Sequence, residues 1–403
     1  MTNPADPQNE IHLPAGFSFS AAAAGIKISG RPDLALLEAS KGTTAAAVFT
    51  RNRVIAAPLI VGRKSLKAAR GRVRAVLVNS GNANCATGPA GVQACERVCR
   101  EAARLLEVNA AEVFPSSTGI IGVPLPAEKL VAKLAELAAG RQASIDALQR
   151  FAQAIMTTDT RMKLASAQFR AGKSVVTVTG VAKGAGMIHP QLATMLVYLF
   201  SDIAASPAEL QNSLRKTCDQ TFNCISIDGD TSTNDTVLLL ASGQSGVELR
   251  NAARKFQTAL AAVCQSLALQ IVSDGEGVQH VIRLSVGQAK NREEALRVAK
   301  AIAHSLLVKT AWAGADPNWG RILAAAGACG VPVEPEKMEI KIGQQIVFRR
   351  GSARRFDKDQ AHGDLAQPTC EIEVKLRRGR AAVAFFTTDL TAEYVKINAE
   401  YST

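Results

Sequence analysis

The sequence predicts an α/β protein with mixed sheets and packed helices, and three observations carry that expectation. Helix-like and strand-like patterns alternate along the chain instead of falling into separate blocks. Hydrophobic residues make up 47% and aromatics only 4%, an ordinary globular composition with an aliphatic, alanine-rich core. At 403 residues the chain exceeds what one domain usually needs, so two or more lobes are expected.

The helices are read from spacing. Val92, Cys95, Val98, Ala102 and Leu105 recur at three- and four-residue steps, which makes 90–106 an amphipathic helix. The same pattern predicts helices over 127–138, 144–156 and 292–307. Another begins at Ser206, with Pro207 at the first helical position and Leu210 and Leu214 turned inward. Strands are expected at 74–79, 174–181, 236–241, 281–286 and 381–387. The polar stretch 349–369 reads as a long loop, or as the tip of a hairpin between strands near 338–348 and 370–377. There is no internal repeat or low-complexity segment.

Composition narrows the function. The longest apolar stretches run to about ten residues, short of the roughly 18 that cross a bilayer, and the start MTNPADPQNE lacks the basic-then-apolar pattern of a signal peptide. No membrane partner and a cytoplasmic location are expected. Eight cysteines show no CxxC spacing. Cys95 and Cys99 share a helical face but lack a nearby histidine, so buried reduced thiols are expected. His12, His189, His280, His304 and His362 are far apart in sequence, which argues against a histidine-rich metal site. The formal charge of +12 raises the question of nucleic acid. The basic residues are spread out, however, and the two clusters, 349–355 and Arg377, Arg378 and Arg380, carry no interleaved aromatics. A basic surface that attracts acidic metabolites fits better, with no nucleic-acid partner.

No phosphate-binding GxxxxGK[ST], GxSxG elbow, HExxH or GxGxxG is present. What stands out is a series of polar, glycine-rich segments: NSGNANCATG (79–88), SSTGIIG (116–122), MTTDT (156–160), KGAGMIHPQLATMLVYLFSD (183–202), FNCISIDGDTSTNDT (222–236), SDGEG (273–277), KTAWAGADPNWGR (309–321) and the closing NAEYST (398–403). Glycines and small hydroxyl residues at such density gather amides and hydroxyls around a ligand. Singly, each has a plainer reading: exposed strand, turn, or, for DGDTSTND, an Asx-rich turn or a cation site built from Asp228, Asp230 and Asp235.

Together these segments resemble the ArgJ-type ornithine acetyltransferase family, the bifunctional glutamate/ornithine acetyltransferases, from about Gly16 to Thr403. KGAGMIHPQLATML (183–196) is similar to the family's self-cleavage segment, and FTRNRVIAAP (49–58), SSTGIIG, MTTDT, SDGEG, DPNWGRI (316–322) and NAEYST match in order. The resemblance implies cleavage between Ala193 and Thr194, an α chain of residues 1–193 and a β chain of residues 194–403. It also implies an ArgJ/DmpA-like α/β fold, related to but topologically distinct from the N-terminal-nucleophile hydrolases, and an α2β2 heterotetramer. Thr194 would be the nucleophile and Thr118 and Gly119 the oxyanion hole. Lys183, Thr157 or Thr158, Glu276, Asn398 and Thr403 would bind substrate. No cofactor is implied, although acetyl-CoA is a possible second acetyl donor. The chain departs from the family at Gln191 and Leu192 (usually Asn-Met), at Met162 before Lys163 (usually Pro), and at Val278, Gln279 and His280 (usually Ala-Thr-Lys).

The chemistry explains why such residues are needed. A threonine hydroxyl is a weak nucleophile, and no His–Asp pair offers a base. Cutting before Thr194 would liberate an α-amine of reference pKa about 7.7–8.0 beside that hydroxyl. Gly184 and Gly186 would allow a strained approach to the bond. A related self-cleaving amidase or aminopeptidase, releasing its acyl group to water, is the alternative within the same logic.

Overall fold

In a computed structural model, residues 10–189 and 195–400 are described. Ala193, Thr194 and Thr403 lie outside them.

Two sheets form the centre. One has four strands, in the order Phe17–Ala22, Leu34–Ala39, Ala75–Asn82 and Val113–Ile120. The other has five, in the order Thr44–Phe49, Thr236–Ala241, Leu196–Ser201, Ser174–Lys183 and Lys163–Ala171. Both mix parallel and antiparallel pairs: Ala75–Asn82 runs parallel to Val113–Ile120, and Leu196–Ser201 parallel to Thr236–Ala241. The inner strands Leu34–Ala39, Leu196–Ser201 and Thr236–Ala241 are near-continuous apolar runs because both of their faces are covered. Phe17, Phe19, Leu37, Val76 and Phe114 from the first sheet meet Tyr198, Phe200, Leu238 and Leu240 from the second, so the sheets pack face to face. Each such side chain, buried fully, contributes about 1.5–3 kcal/mol.

Helices close the two outer faces. Gly88–Leu106 and Ala127–Ala139 cover the four-stranded sheet through Cys95, Val98, Ala102, Leu130 and Leu134. Glu107, left-handed at φ 53°, ends the first of them. Pro207–Gln220 and Leu249–Ser273 cover the five-stranded sheet. The former opens with a capping box in which Ser206 Oγ and the Glu209 carboxylate each satisfy the other's backbone N–H. Leu249–Ser273 is the longest helix among the described residues. By length and composition it is the single helix among the described residues able to cross a membrane. In this fold Phe256, Leu260, Val263, Leu267 and Ile271 bury its apolar stripe in the core.

A six-stranded sheet, ordered Ser352–Ala353, Gln345–Arg349, Glu339–Ile342, Thr369–Lys375, Val281–Ala289 and Ala381–Thr388, makes a further lobe with its own core around Trp312, Ile340 and Phe385. Two expectations are corrected here. The helix read over 292–307 is two, Arg292–Ala303 and Leu306–Ala313, because Ser305 breaks the run and caps the second through its side chain. The 349–369 stretch contains the helix Lys358–Leu365, capped by Asp357, and 338–348 is itself a hairpin turning at Gly343. The C-terminal segment is a helix, Ala392–Glu400, in which Tyr394 and Ile397 are half-buried while Val395, expected as an anchor, is 60% exposed.

Candidate active site

The cleft lies where one strand from each of the two sheets ends. Thr118 and Gly119 come from the end of Val113–Ile120, and Lys183 from the end of Ser174–Lys183. Thr157 and Thr158 follow helix Ile145–Ala154, Glu276 follows Leu249–Ser273, and Asn398 arrives on the C-terminal helix. All seven line one cleft, as do Asp228, Ser232, Asn234 and Tyr394, which sequence reasoning had not assigned to the site.

Gly119 shows why the strand end needs glycine. Its φ is 131°, and a Cβ there would collide with the Gly81 carbonyl carbon. Gly81 and Asn82 bulge opposite it. Asn234 pins this strand end from the other side, donating its amide to Ser117 O at 2.9 Å and Ala83 O at 2.7 Å. Gly186 has a different reason: a Cβ would lie 2.5 Å from Glu276 Oε2. Left-handed strain in the 183–189 stretch falls on Met187 (φ 58°).

Lys183 is buried. Its Nζ donates to Thr157 Oγ1 at 2.8 Å and to Thr118 Oγ1 at 3.2 Å. Because the ammonium donates to Thr118 Oγ1, that hydroxyl keeps its own hydrogen for another acceptor. Burial lowers the Lys183 pKa, against the opposing pull of Asp159. Asp159 accepts from Lys163 Nζ at 2.6 Å, Gly184 N at 2.6 Å and Thr157 N at 3.1 Å. Lys163 in turn donates to Asp274 at 2.5 Å, and Asp274 accepts from the N–H and hydroxyl of Thr160. The side chains of Asp159 and Lys163 are wholly buried. This network ties the MTTDT, KGAG and SDGEG segments together. The i, i+4 spacing of Asp159 and Lys163 was visible in the sequence, but their burial was not.

Asp228 occupies the other wall. Its carboxylate accepts from the N–H groups of Met187, Ile188 (2.9 Å) and Asp230 (3.2 Å) and from the Tyr394 hydroxyl (3.3 Å). Burial raises its pKa to about 6. Asp235 Oδ1 accepts from Met195 N at 2.9 Å. One loop therefore grips the chain on both sides of residues 190–194. The Asx-turn reading of DGDTSTND matches this geometry, and among the described residues no group of three or more His, Cys, Asp or Glu side chains is arranged to hold a metal.

His189 and His304, distant in sequence, lie with ring centroids 4.6 Å apart and planes tilted by 32°. Burial lowers both, His304 to about 3, and neither lines the cleft. His280, at the departure after SDGEG, pairs with Asp389 at 2.9 Å and also lies outside the lining. Met162 packs toward the core between the sheets. The eight cysteines are unbridged, and all but Cys329 are buried. The two arginine clusters do meet: Arg349 and Arg377 flank Glu339 at 2.9 and 3.6 Å, with Lys375 at 3.0 Å, so a carboxylate sits at their centre.

A polar cleft lined by hydroxyl and glycine groups, a buried lysine and carboxylates, on a two-sheet α/β frame, is built to hold a small charged molecule. The chain belongs to the ArgJ family, whose profile matches residues 18–403. It is 42% identical to the arginine biosynthesis bifunctional protein ArgJ of Pseudomonas fluorescens over 98% of each chain. To the protein of that name from Thermus thermophilus it is 44% identical, over 98% of this chain and 100% of the other. Among solved structures, ornithine acetyltransferase complexed with ornithine from Mycobacterium tuberculosis is 42% identical, covering 44% of this chain and 92% of that chain with a TM-score of 0.39.

Proposed function

We propose that this chain is an acetyltransferase of arginine biosynthesis that moves the acetyl group of N2-acetylornithine to glutamate through an ester on Thr194, after cutting itself between Ala193 and Thr194. Family membership supports the activity. The observation that carries the reading is the convergence of Thr118, Gly119, Thr157, Thr158, Lys183, Glu276 and Asn398 on one cleft, beside which the strand Leu196–Ser201 begins.

Cleavage starts with Thr194 Oγ attacking the Ala193 carbonyl, giving an ester that water hydrolyses. The products are the α chain, 1–193, and the β chain, 194–403, which assemble as an α2β2 heterotetramer in the cytoplasm. In the mature site Thr194 Oγ attacks the acetyl carbonyl as its proton passes to the new α-amine. The Thr118 hydroxyl and the Gly119 N–H hold the oxyanion. The C–N bond breaks, and ornithine's amine leaves with that proton. Glutamate's neutral amine then attacks the ester, takes the acetyl group and returns a proton to Thr194 Oγ. Lys183 pairs with the substrate α-carboxylate. Glu276, steadied by Asn398, meets the side-chain ammonium of ornithine, and Thr157 or Thr158 together with Thr403 completes the binding set. The reading needs no cofactor, and acetyl-CoA stays a possible second acetyl donor to glutamate.

Intact mass of the purified protein tests the mechanism: two fragments meeting at 193/194 are expected, and a single 42.5 kDa chain overturns it. Incubation with N-acetylornithine and glutamate should yield N-acetylglutamate. Release of acetate to water instead would point to the amidase reading.

A further inference from the structure

We infer that Asp159 is the positioning residue that keeps Lys183 charged, acting within a buried network whose other members, Lys163 and Asp274, fix the two ends of the cleft at a set spacing. The inference rests on the reading that Lys183 binds the substrate carboxylate.

An ammonium that loses its water favours the neutral form unless a negative charge stands nearby. The Lys183 side chain is 4% exposed, and its hydrogen-bond partners among the described residues, Thr118 and Thr157, are neutral hydroxyls. Among those residues the carboxylate within ion-pair reach is Asp159, whose Oδ2 lies 4.0 Å from Nζ. Asp235 and Glu276 also favour the charged form, whereas Lys163 opposes it and Lys27 adds a further positive charge close by. Asp159 is held in place by the N–H groups of Gly184 and Thr157 and by Lys163. Lys163 is shared with Asp274, so it cannot neutralise Asp159 alone. Arg161 approaches Asp274 from the solvent side at 3.8 Å. The buried three, Asp159, Lys163 and Asp274, carry one net negative charge, which Lys183 balances. When a substrate carboxylate reaches Lys183, the ammonium is therefore already formed.

The same network sets geometry. Asp274 precedes Glu276 by two residues, and the Glu276 N–H donates to Ala185 O at 2.9 Å. The cationic and anionic ends of the cleft thus hang from one buried lysine, Lys163. Moving Lys163 would change the distance over which a substrate's carboxylate and ammonium are both satisfied.

The test is the pH dependence of kcat/KM for N-acetylornithine in the full protein. An opposite charge within about 4–6 Å moves a pKa by roughly 1–3 units. Asp159→Asn keeps one side-chain oxygen acceptor and removes the charge. It should shift the alkaline limb down by at least about one pH unit and raise KM about tenfold or more, with a smaller effect on kcat. In a Lys183→Met background the same substitution should add little to KM, since the two act as one unit. An unmoved limb, or an equal KM increase with and without Lys183, overturns the inference. Should Asp159→Asn fail to fold, Asp274→Asn provides the second arm. It leaves Lys163 wholly paired with Asp159 and should move the limb in the same direction by less; no movement again overturns it. Failure of the underlying reading looks different: Lys183→Met would retain the parental KM.

Discussion

The side-chain amide of Asn398 donates to Glu276 Oε2 at 2.9 Å across 122 residues of sequence. Tyr394, one turn earlier, reaches Asp228, so the last described helix touches the cleft twice. Chain ends normally tolerate trimming, but Tyr394 and Asn398 of this helix line the cleft. Asn398→Ala should raise KM for N-acetylornithine about tenfold, the scale of one hydrogen bond to a charged group. Deleting 399–403 should act in the same direction. Neither change should affect cleavage, which needs no substrate. A truncated enzyme with parental kcat/KM would remove the tail from the site.

Thr194→Ala should remain a full-length chain of 42.5 kDa, and Thr194→Ser should still cut, more slowly. A denaturing gel that shows normal processing of the alanine variant excludes self-cleavage through this hydroxyl.

Transfer through an ester requires ornithine to leave before glutamate reacts, so double-reciprocal plots should be parallel. Thr118→Ala should lower kcat about 100- to 1,000-fold, the usual effect of losing one oxyanion donor. Intersecting lines, with no acetylated β-chain peptide after incubation with N-acetylornithine alone, would indicate direct transfer.

The two buried carboxylates should answer acid in opposite senses. Burial pushes Asp159 up, but Lys183, Lys163 and the Gly184 N–H overcome it and hold it at about 2. A lowered folded pKa contributes stability above the unfolded value near 3.8 that is lost as pH falls toward 2. Relative to Asp159→Asn, the parent should therefore lose up to about 2 kcal/mol over that window. Asp228 sits at about 6 through burial, so the folded protein binds a proton more readily than the unfolded chain. Relative to Asp228→Asn, the parent should gain stability as pH drops from about 7 to 4. Urea unfolding across pH measures both, and the same slope for the two pairs would refute the assignment.

The periodic elements were legible because spacing fixes them. Val92 to Leu105 gave a helix within two residues of its observed start, and 236–241 coincides with the strand Thr236–Ala241. Short or tertiary-dependent elements were not: Leu306–Ala313 is separated from its neighbour by one capping serine, and Lys358–Leu365 carries only Ala361 and Leu365 as buried anchors. In the site, resemblance brought Thr118, Lys183, Glu276 and Asn398 forward as single residues. Asp159, Lys163 and Asp274 carried no role of their own, because an acid or lysine in a polar segment reads as solvated until packing shows it buried.

Strands Ser174–Lys183 and Leu196–Ser201 are hydrogen-bonded neighbours, and Thr44–Phe49 lies against Thr236–Ala241 at the edge of the same sheet. A break between 193 and 194 would leave two polypeptides woven through one sheet, unable to part without losing it. Denaturing the cut form would release separate molecules. Its melting point should then climb with protein concentration and its refolding should slow on dilution, whereas the uncut Thr194→Ala chain would refold at a rate independent of concentration. Maturation would trade a reversible fold for one whose persistence depends on never coming apart.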